Sequence, residues 1–290
     1  RLMKRRENLR AYSWNLLGSL AGVLLSFAAS YLQTGPVIWF ALSFAAILVF
    51  QAFETRGLVT AAVFAIVGLI VLAFPVSSEW LSIYSPYQLI ERGPGGNGQV
   101  CLKAAGHYYQ RILDLSRERV AASKDPFDKY TAKYYEFPYR VYGKPAKVAV
   151  VGSGTGNDVA AALRSGATHV DAIEIDPVIL LSGRKFHPEK PYSDPRVRGI
   201  LNDARSFLRT TDETYDMVVY GLLDSHTLLS HASSVRLDSF VYTVEGLREA
   251  RRRLRDDGVL SLSFCVLDEQ LGRKIYLMMQ EAFDGRPPVC

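Results

Sequence analysis

Residues 147–176, KVAVVGSGTGNDVAAALRSGATHVDAIEID, leave the backbone few ways to fold. An apolar run (148–151) meets a glycine cluster (Gly152, Gly154, Gly156), then an alanine-rich segment, then a second apolar run ending in Glu174. The order predicts strand, tight turn, helix, strand. The glycines let the chain turn sharply and approach a ligand closely, and a helix beginning near Asn157 offers it free N–H groups. Glu174 follows Gly152 by 22 residues, the distance at which a carboxylate closing the second strand takes both ribose hydroxyls of a nucleoside. The competing reading is a glycine turn that only packs helix on sheet.

From residue 148 onward the apolar periodicity is that of an α/β domain. It places strands near 148–151, 170–175, 197–201, 217–220 and 259–264, and helices near 158–164, 178–186, 204–208, 244–254 and 269–283. Right-handed crossovers give a doubly wound parallel sheet, with ligands at the carboxyl ends of the strands. Those ends carry residues 152–158, then Glu174, Asp176 and Pro177, then Asn202 and Asp203, then GLLDSHTLLS with Asp224, Ser225, His226 and Thr227. Asp203 is placed to accept from an exocyclic purine amine.

The first quarter has a different character. Three apolar segments, 14–32, 37–53 and 58–74, contain no charge, and each is about as long as a bilayer-spanning helix needs. Their connections are short, so they pack as antiparallel neighbours, with Gly18, Gly22 and Gly68 as points of close approach. Repetition excludes a cleavable signal peptide. The basic flank before Trp14 belongs in the cytoplasm by the positive-inside rule, and three crossings then put the rest outside. The chain opens on Arg1 and stops at Cys290 soon after a helical pattern; this suggests further segments at both ends, and further upstream helices leave the side open. Residues 84–115 alternate around the glycine-rich turn 93–98 as a small β module, and 117–133 is charged and helical or loop-like. The expected domains are 1–76 (three spans, truncated upstream), 77–143 (β module and linker) and 144–290 (truncated downstream).

Charge and cysteine content exclude several classes. The net charge of +5 is mild, with basic residues gathered in 1–10 as a membrane flank and in 247–255 as a solvated helix face. Nucleic acid is therefore not an expected partner. Cys101, Cys265 and Cys290 have neither metal-ligand spacing nor the pattern of a disulfide framework, and no metal is expected.

Eight short stretches between Ser85 and Phe264, taken in order, resemble the spermidine/spermine synthase (aminopropyltransferase) family, and more closely its membrane-fused bacterial branch. They are SPYQLI, CLKAAGHYYQ, YYEFPY, GSGTGND, EIDP, DPRV, NDARSFL and YDMVVYG. The resemblance implies an α/β fold: transmembrane helices, a small β module, and a Rossmann-like, methyltransferase-type parallel sheet. It implies S-adenosylmethionine or its decarboxylated form as the donor. Gln88 and Tyr87 would then line the pocket, Glu174 would hold the ribose and Asp203 the adenine. Tyr242 and Glu245, in SFVYTVEGL, resemble the family's segment that closes over substrate.

Two departures bear on the chemistry. The family's glycine turn carries an acidic residue where this chain has Thr155, and its fourth strand ends in D-S-x-D-P, whose first Asp takes the proton from the attacking amine. Here Gly221 stands at the first Asp and Asp224 at the second. A protonated amine has no lone pair until a base takes a proton, and glycine supplies none. Either Asp224 with His226 has taken over, or the chemistry differs; on this ground an ordinary spermidine synthase is not expected.

His226, one residue removed from Asp224, suits a base near neutrality, against a polar turn that caps the next helix. Tyr242 joins them as the third catalytic candidate. His107 facing the cleft from the β module, and Arg236 pairing an anionic group, are substrate-binding candidates with Tyr87 and Glu245. His187 reads as a helix end. The aromatic run Tyr134, Tyr135, Phe137 and Tyr139 reads as a floor between β module and sheet. Two enzymatic readings follow. One is a membrane-anchored transferase of aminopropyl or methyl groups. The other is a cofactor-free lyase or hydrolase working through Asp224, His226 and a tyrosine on an anionic, polysaccharide-like substrate outside the membrane. A sensor domain is the non-enzymatic reading. The partners are the lipid bilayer and a small or anionic substrate, with a homo-oligomer also admitted.

Overall fold

The computed structural model describes residues 8–52, 57–75, 77–96, 98–222, 241–266 and 268–290. The chain divides into two compact units, residues 1–89 and 90–290.

The first unit holds α1 (Asn8–Tyr31), α2 (Pro36–Gln51), α3 (Leu58–Ala73) and strand β1 (Leu81–Tyr84). Pro36, with its fixed φ and no N–H to lose, starts α2 directly after Gly35. Residues 10–31 of α1 are long and apolar enough to cross a membrane; α2 and α3 are apolar but shorter. Of the expected contact glycines, Gly68 on α3 meets the Phe44 ring of α2, where an added Cβ would lie 3.2 Å from Cζ. Gly18 and Gly22 do not act this way, because a Cβ on either would find nothing within 4 Å. Small residues alone do not create a helix contact; a ring on the facing helix must fill the space they leave.

The second unit begins with an antiparallel sheet of β2 (Leu89–Pro94), β3 (Val100–Ala104) and β4 (His107–Ile112). The charged stretch that follows is helical, as α4 (Arg117–Ala122) and α5 (Pro126–Tyr142). Asp125 starts α5 by accepting from the Phe127 N–H. The aromatic run therefore lies on a helix. Tyr135 and Tyr139 pack inward, as expected of a floor, but Tyr134 and Phe137 are exposed, because a 3.6-residue period turns every other pair of the run outward.

Five parallel strands follow: β5 (Lys147–Val151), β6 (His169–Glu174), β7 (Val197–Leu201), β8 (Tyr215–Tyr220) and β9 (Leu254–Leu262), in the order β7-β6-β5-β8-β9. Their helices are α6 (Asn157–Arg164), α7 (Pro177–Phe186), α8 (Ala204–Thr210), α9 (Val244–Arg252) and α10 (Glu269–Ala282). The central strands read as unbroken apolar runs because both faces are covered. Val148 and Val150 join Met217 and Val219 under α5 and α6, while Ala149 and Val151 join Val218 and Tyr220 under α9. β9 begins at Leu254, earlier than its apolar run predicts, and so ends α9 at Arg252.

In this order β5 has β6 on one side and β8 on the other. The chain leaves β5 toward β6 and β7, then returns to β8 across the sheet. That reversal opens a crevice at the carboxyl ends of β5 and β8, where open α/β sheets bind ligands.

Candidate functional site

At the end of β5 the backbone takes left-handed φ at Gly152, Gly154 and Gly156 (63°, 57° and 105°) before α6 begins. A side chain at Gly156 would be strained twice over, by that φ and by Pro191 Cγ at 2.8 Å from its Cβ. The turn is held from the small sheet as well. Gln110 of β4 accepts through Oε1 from the Thr155 N–H (3.0 Å) and hydroxyl (2.9 Å). Asn157 accepts from the Leu113 N–H and donates to the Arg111 carbonyl (3.1 and 2.9 Å). Tyr192, in a short 3-10 turn (Pro191–Ser193), donates to the Gly154 carbonyl at 2.7 Å. Thr155 is fully buried by these contacts.

Glu174 closes β6 and faces this turn. It is 4% exposed; Oε2 accepts from the Gly154 N–H and Oε1 from the Asp176 N–H, both at 2.9 Å. Burial pushes its carboxyl up to about 7, against the pull of these backbone bonds. The neighbouring Asp176 caps α7 through the Val178 N–H. At the end of β7, Asp203 caps α8, accepting from the Ser206 N–H at 2.7 Å.

At the end of β8 stands Gly221, and beside it a group that the sequence did not single out. A Cβ on Gly221 would lie 2.8 Å from Asp158 Oδ2 and 3.7 Å from the Gly152 carbonyl oxygen. Asp158, in the first turn of α6, thus holds its carboxylate in the space that a side chain at 221 would need. It is partly buried, and burial pushes it up to about 7. Tyr135, Tyr139 and Tyr192 all feel its charge and, with burial the larger cause, are held protonated well above their ordinary range.

The remaining candidates come from several parts of the chain. Tyr242 packs its ring edge-on against Phe264 (4.9 Å) and near Tyr220, and its hydroxyl donates to the Ser263 carbonyl at 3.4 Å. Glu245 is exposed in the first turn of α9, and His107 is exposed at the start of β4. Tyr87 and Gln88 belong to the first unit, where the Tyr87 N–H donates to Ser85 Oγ and the Ser85 N–H to the Gln88 carbonyl. Asp224, His226 and Arg236 lie outside the described residues. His187 ends α7, as its sequence suggests; its Nδ1 accepts from the Glu189 N–H, and burial pushes it down to about 4. Among the described residues no cluster of metal-binding side chains occurs.

A parallel sheet with its glycine turn at the central strand and a buried acid closing the next strand defines the Rossmann-like class. Within it, the "Spermine/spermidine synthase domain" profile matches residues 128–281, more than half of the 290 residues. The chain belongs to that family. It is 30% identical over 119 residues to a polyamine aminopropyltransferase of Korarchaeum cryptofilum, covering 40% of this chain and 34% of that one. It is 32% identical over 94 residues to putrescine N-methyltransferase 2 of Nicotiana tabacum, covering 31% and 27%. The chain thus spans only about a third of these relatives. The crystal structure of spermidine synthase from Thermotoga maritima shares the fold, with a TM-score of 0.53 at 17% identity over 70% of this chain and 64% of that one.

Proposed function

We propose that this chain is a membrane-anchored transferase that moves an aminopropyl or methyl group from decarboxylated or intact S-adenosylmethionine to an amine. The observation that carries this reading is Glu174, buried at the end of β6 and turned toward the glycine bend. Each of its oxygens accepts one backbone N–H, and a carboxylate oxygen has room for a second donor. Such a group suits the two adjacent hydroxyls of a ribose. Asp203, one strand further out, would take the base. A bound sulfonium nucleoside would supply an electrophilic carbon whose leaving group is a neutral thioether. The protein's share is to orient that carbon, keep water from it and take a proton from the incoming amine.

Both group types have support among the relatives, one named for aminopropyl transfer and one for methyl transfer. Gly221 in place of an acid at the β8 end argues against ordinary putrescine aminopropyl transfer. The membrane part of the reading rests on α1–α3, where Trp14, Phe27, Phe50, Phe64 and Val71 are exposed and α2 and α3 carry no charge. Water does not tolerate such a surface; lipid does.

The test is to incubate the full chain in detergent with each donor and a panel of putrescine, agmatine, spermidine and a primary monoamine, and to weigh the products. Amines heavier by one aminopropyl or methyl group support the reading. Efficient conversion of putrescine to spermidine would reject the exclusion of ordinary synthase activity, and no transfer to any amine would reject the reading itself. Retention in the membrane pellet after an alkaline carbonate wash tests the anchor.

A further inference from the structure

Asp158 and Gly221 occupy one place. The carboxylate comes from the first turn of α6 and the glycine from the end of β8, and they meet at the crevice where the crossovers on either side of β5 diverge. A residue with a side chain at 221 and the present position of Asp158 exclude each other, since Cβ and Oδ2 would stand 2.8 Å apart. The missing acid on β8 is therefore matched in space by an acid on α6. Among the described residues its carboxylate pairs with no cation. A carboxylate held in a partly buried crevice is costly unless a cation joins it.

We infer that Asp158 binds the acceptor ammonium group and takes its proton, in the position that Gly221 leaves open. This rests on the transferase reading above. The step balances as follows. The ammonium gives one proton to the Asp158 carboxylate, and the freed lone pair forms the new N–C bond. The C–S bond breaks with its electrons going to sulfur, so the sulfonium becomes a neutral thioether. The product nitrogen keeps the positive charge, and Asp158 releases its proton to solvent. The groups around it do not compete for that proton near neutrality, because Tyr135, Tyr139 and Tyr192 stay protonated there. Glu174 titrates in the same range but lies on the β6 side of the turn.

The decisive variant is Asp158→Asn, which keeps the shape and removes the base. With the amine that the wild type uses best, turnover should fall about 10²–10⁴-fold. Methylthioadenosine should raise the melting temperature of the variant as much as that of the wild type, showing an intact fold and donor side. Calorimetric binding of the amine to the methylthioadenosine complex should weaken. A second pair keeps the idea exposed should Asn disturb the turn. Gly221→Asp alone crowds Asp158 and should lose turnover, whereas Gly221→Asp with Asp158→Gly returns one carboxylate to the crevice and should regain part of it. Asp158→Asn with wild-type turnover and amine affinity would overturn the inference while leaving the transferase reading intact. A wild type that transfers to no amine removes both.

Discussion

The two sides of β5 differ. Toward β6, the glycine turn and Glu174 are bonded to each other through the Gly154 N–H. Toward β8, the strand ends in a glycine and a carboxylate arrives from a different element. The proposed donor side depends on backbone geometry, which few substitutions can reproduce. The proposed acceptor side needs only a carboxylate at a point in space, which any neighbouring element can deliver. Fold constrains the first and chemistry the second.

Two glycines put that contrast to work. At Gly183 of α7 an added Cβ would run into the Thr155 carbonyl oxygen, a backbone atom of the turn that cannot move aside. Gly183→Ala should cost about 1–3 kcal/mol or more in urea denaturation and abolish donor binding with it. At Gly221 the obstacle is the end of a side chain. Gly221→Ala should cost less than about 1 kcal/mol of stability, yet lower turnover by displacing Asp158. Equal stability losses at both positions would erase the distinction.

The pH dependence sharpens it. Glu174 and Asp158 are each raised to about 7 in the folded chain from ordinary values of 4.5 and 3.8. Each favours the fold fully below its unfolded value, and that stabilisation is lost as pH rises through about 7. His187, pushed down to about 4, works in the opposite sense, stabilising above its ordinary value and less as pH falls through 4. Glu174→Gln and Asp158→Asn both keep His187, so melting curves against the wild type isolate each acid. Between pH 5 and 8 the wild type should lose on the order of 1–3 kcal/mol more than either variant. Parallel curves would show that these acids are not raised.

The smallest effect on donor binding is expected at the other end of the sheet. Asp171 on β6 is fully buried and bonded by Arg198 (2.7 and 2.8 Å) and the Tyr215 hydroxyl (2.6 Å). Burial alone would raise its carboxyl, but these bonds hold it below the usual range. Arg198 is half exposed but Asp171 is not, so Arg198→Ala should cost about 1–3 kcal/mol while leaving donor binding unchanged. A loss of donor binding there would mean that the two ends of β6 are coupled.

The donor side was legible in the sequence because its parts are consecutive. The glycines, the apolar run of β6 and Glu174 are read from one stretch, and the strand-to-helix rhythm fixes where they meet. Asp158 was not, though it follows the last glycine by two residues, because its meaning lies in its distance from Gly221, 63 positions away. The glycine that the resemblance puts at 221 in place of an acid was the available signal; it led along the sequence to Asp224 and not to Asp158. Gln110 was hidden for the same reason, since nothing in a strand's alternation tells which turn its side chain will close. The charged stretch before β5 left helix and loop both open, because the inward face of α5 rests on a few residues such as Ala132 and Tyr139.

The central claim is that the β5–β6 side still holds a sulfonium nucleoside through Glu174. Calorimetric titration of decarboxylated S-adenosylmethionine into the full chain and into Glu174→Gln tests it directly. The account predicts saturable binding to the wild type and binding weaker by about 10- to 100-fold in the variant, the worth of hydrogen bonds to a charged carboxylate. Equal affinity in the two proteins, or no heat with the wild type, would contradict it.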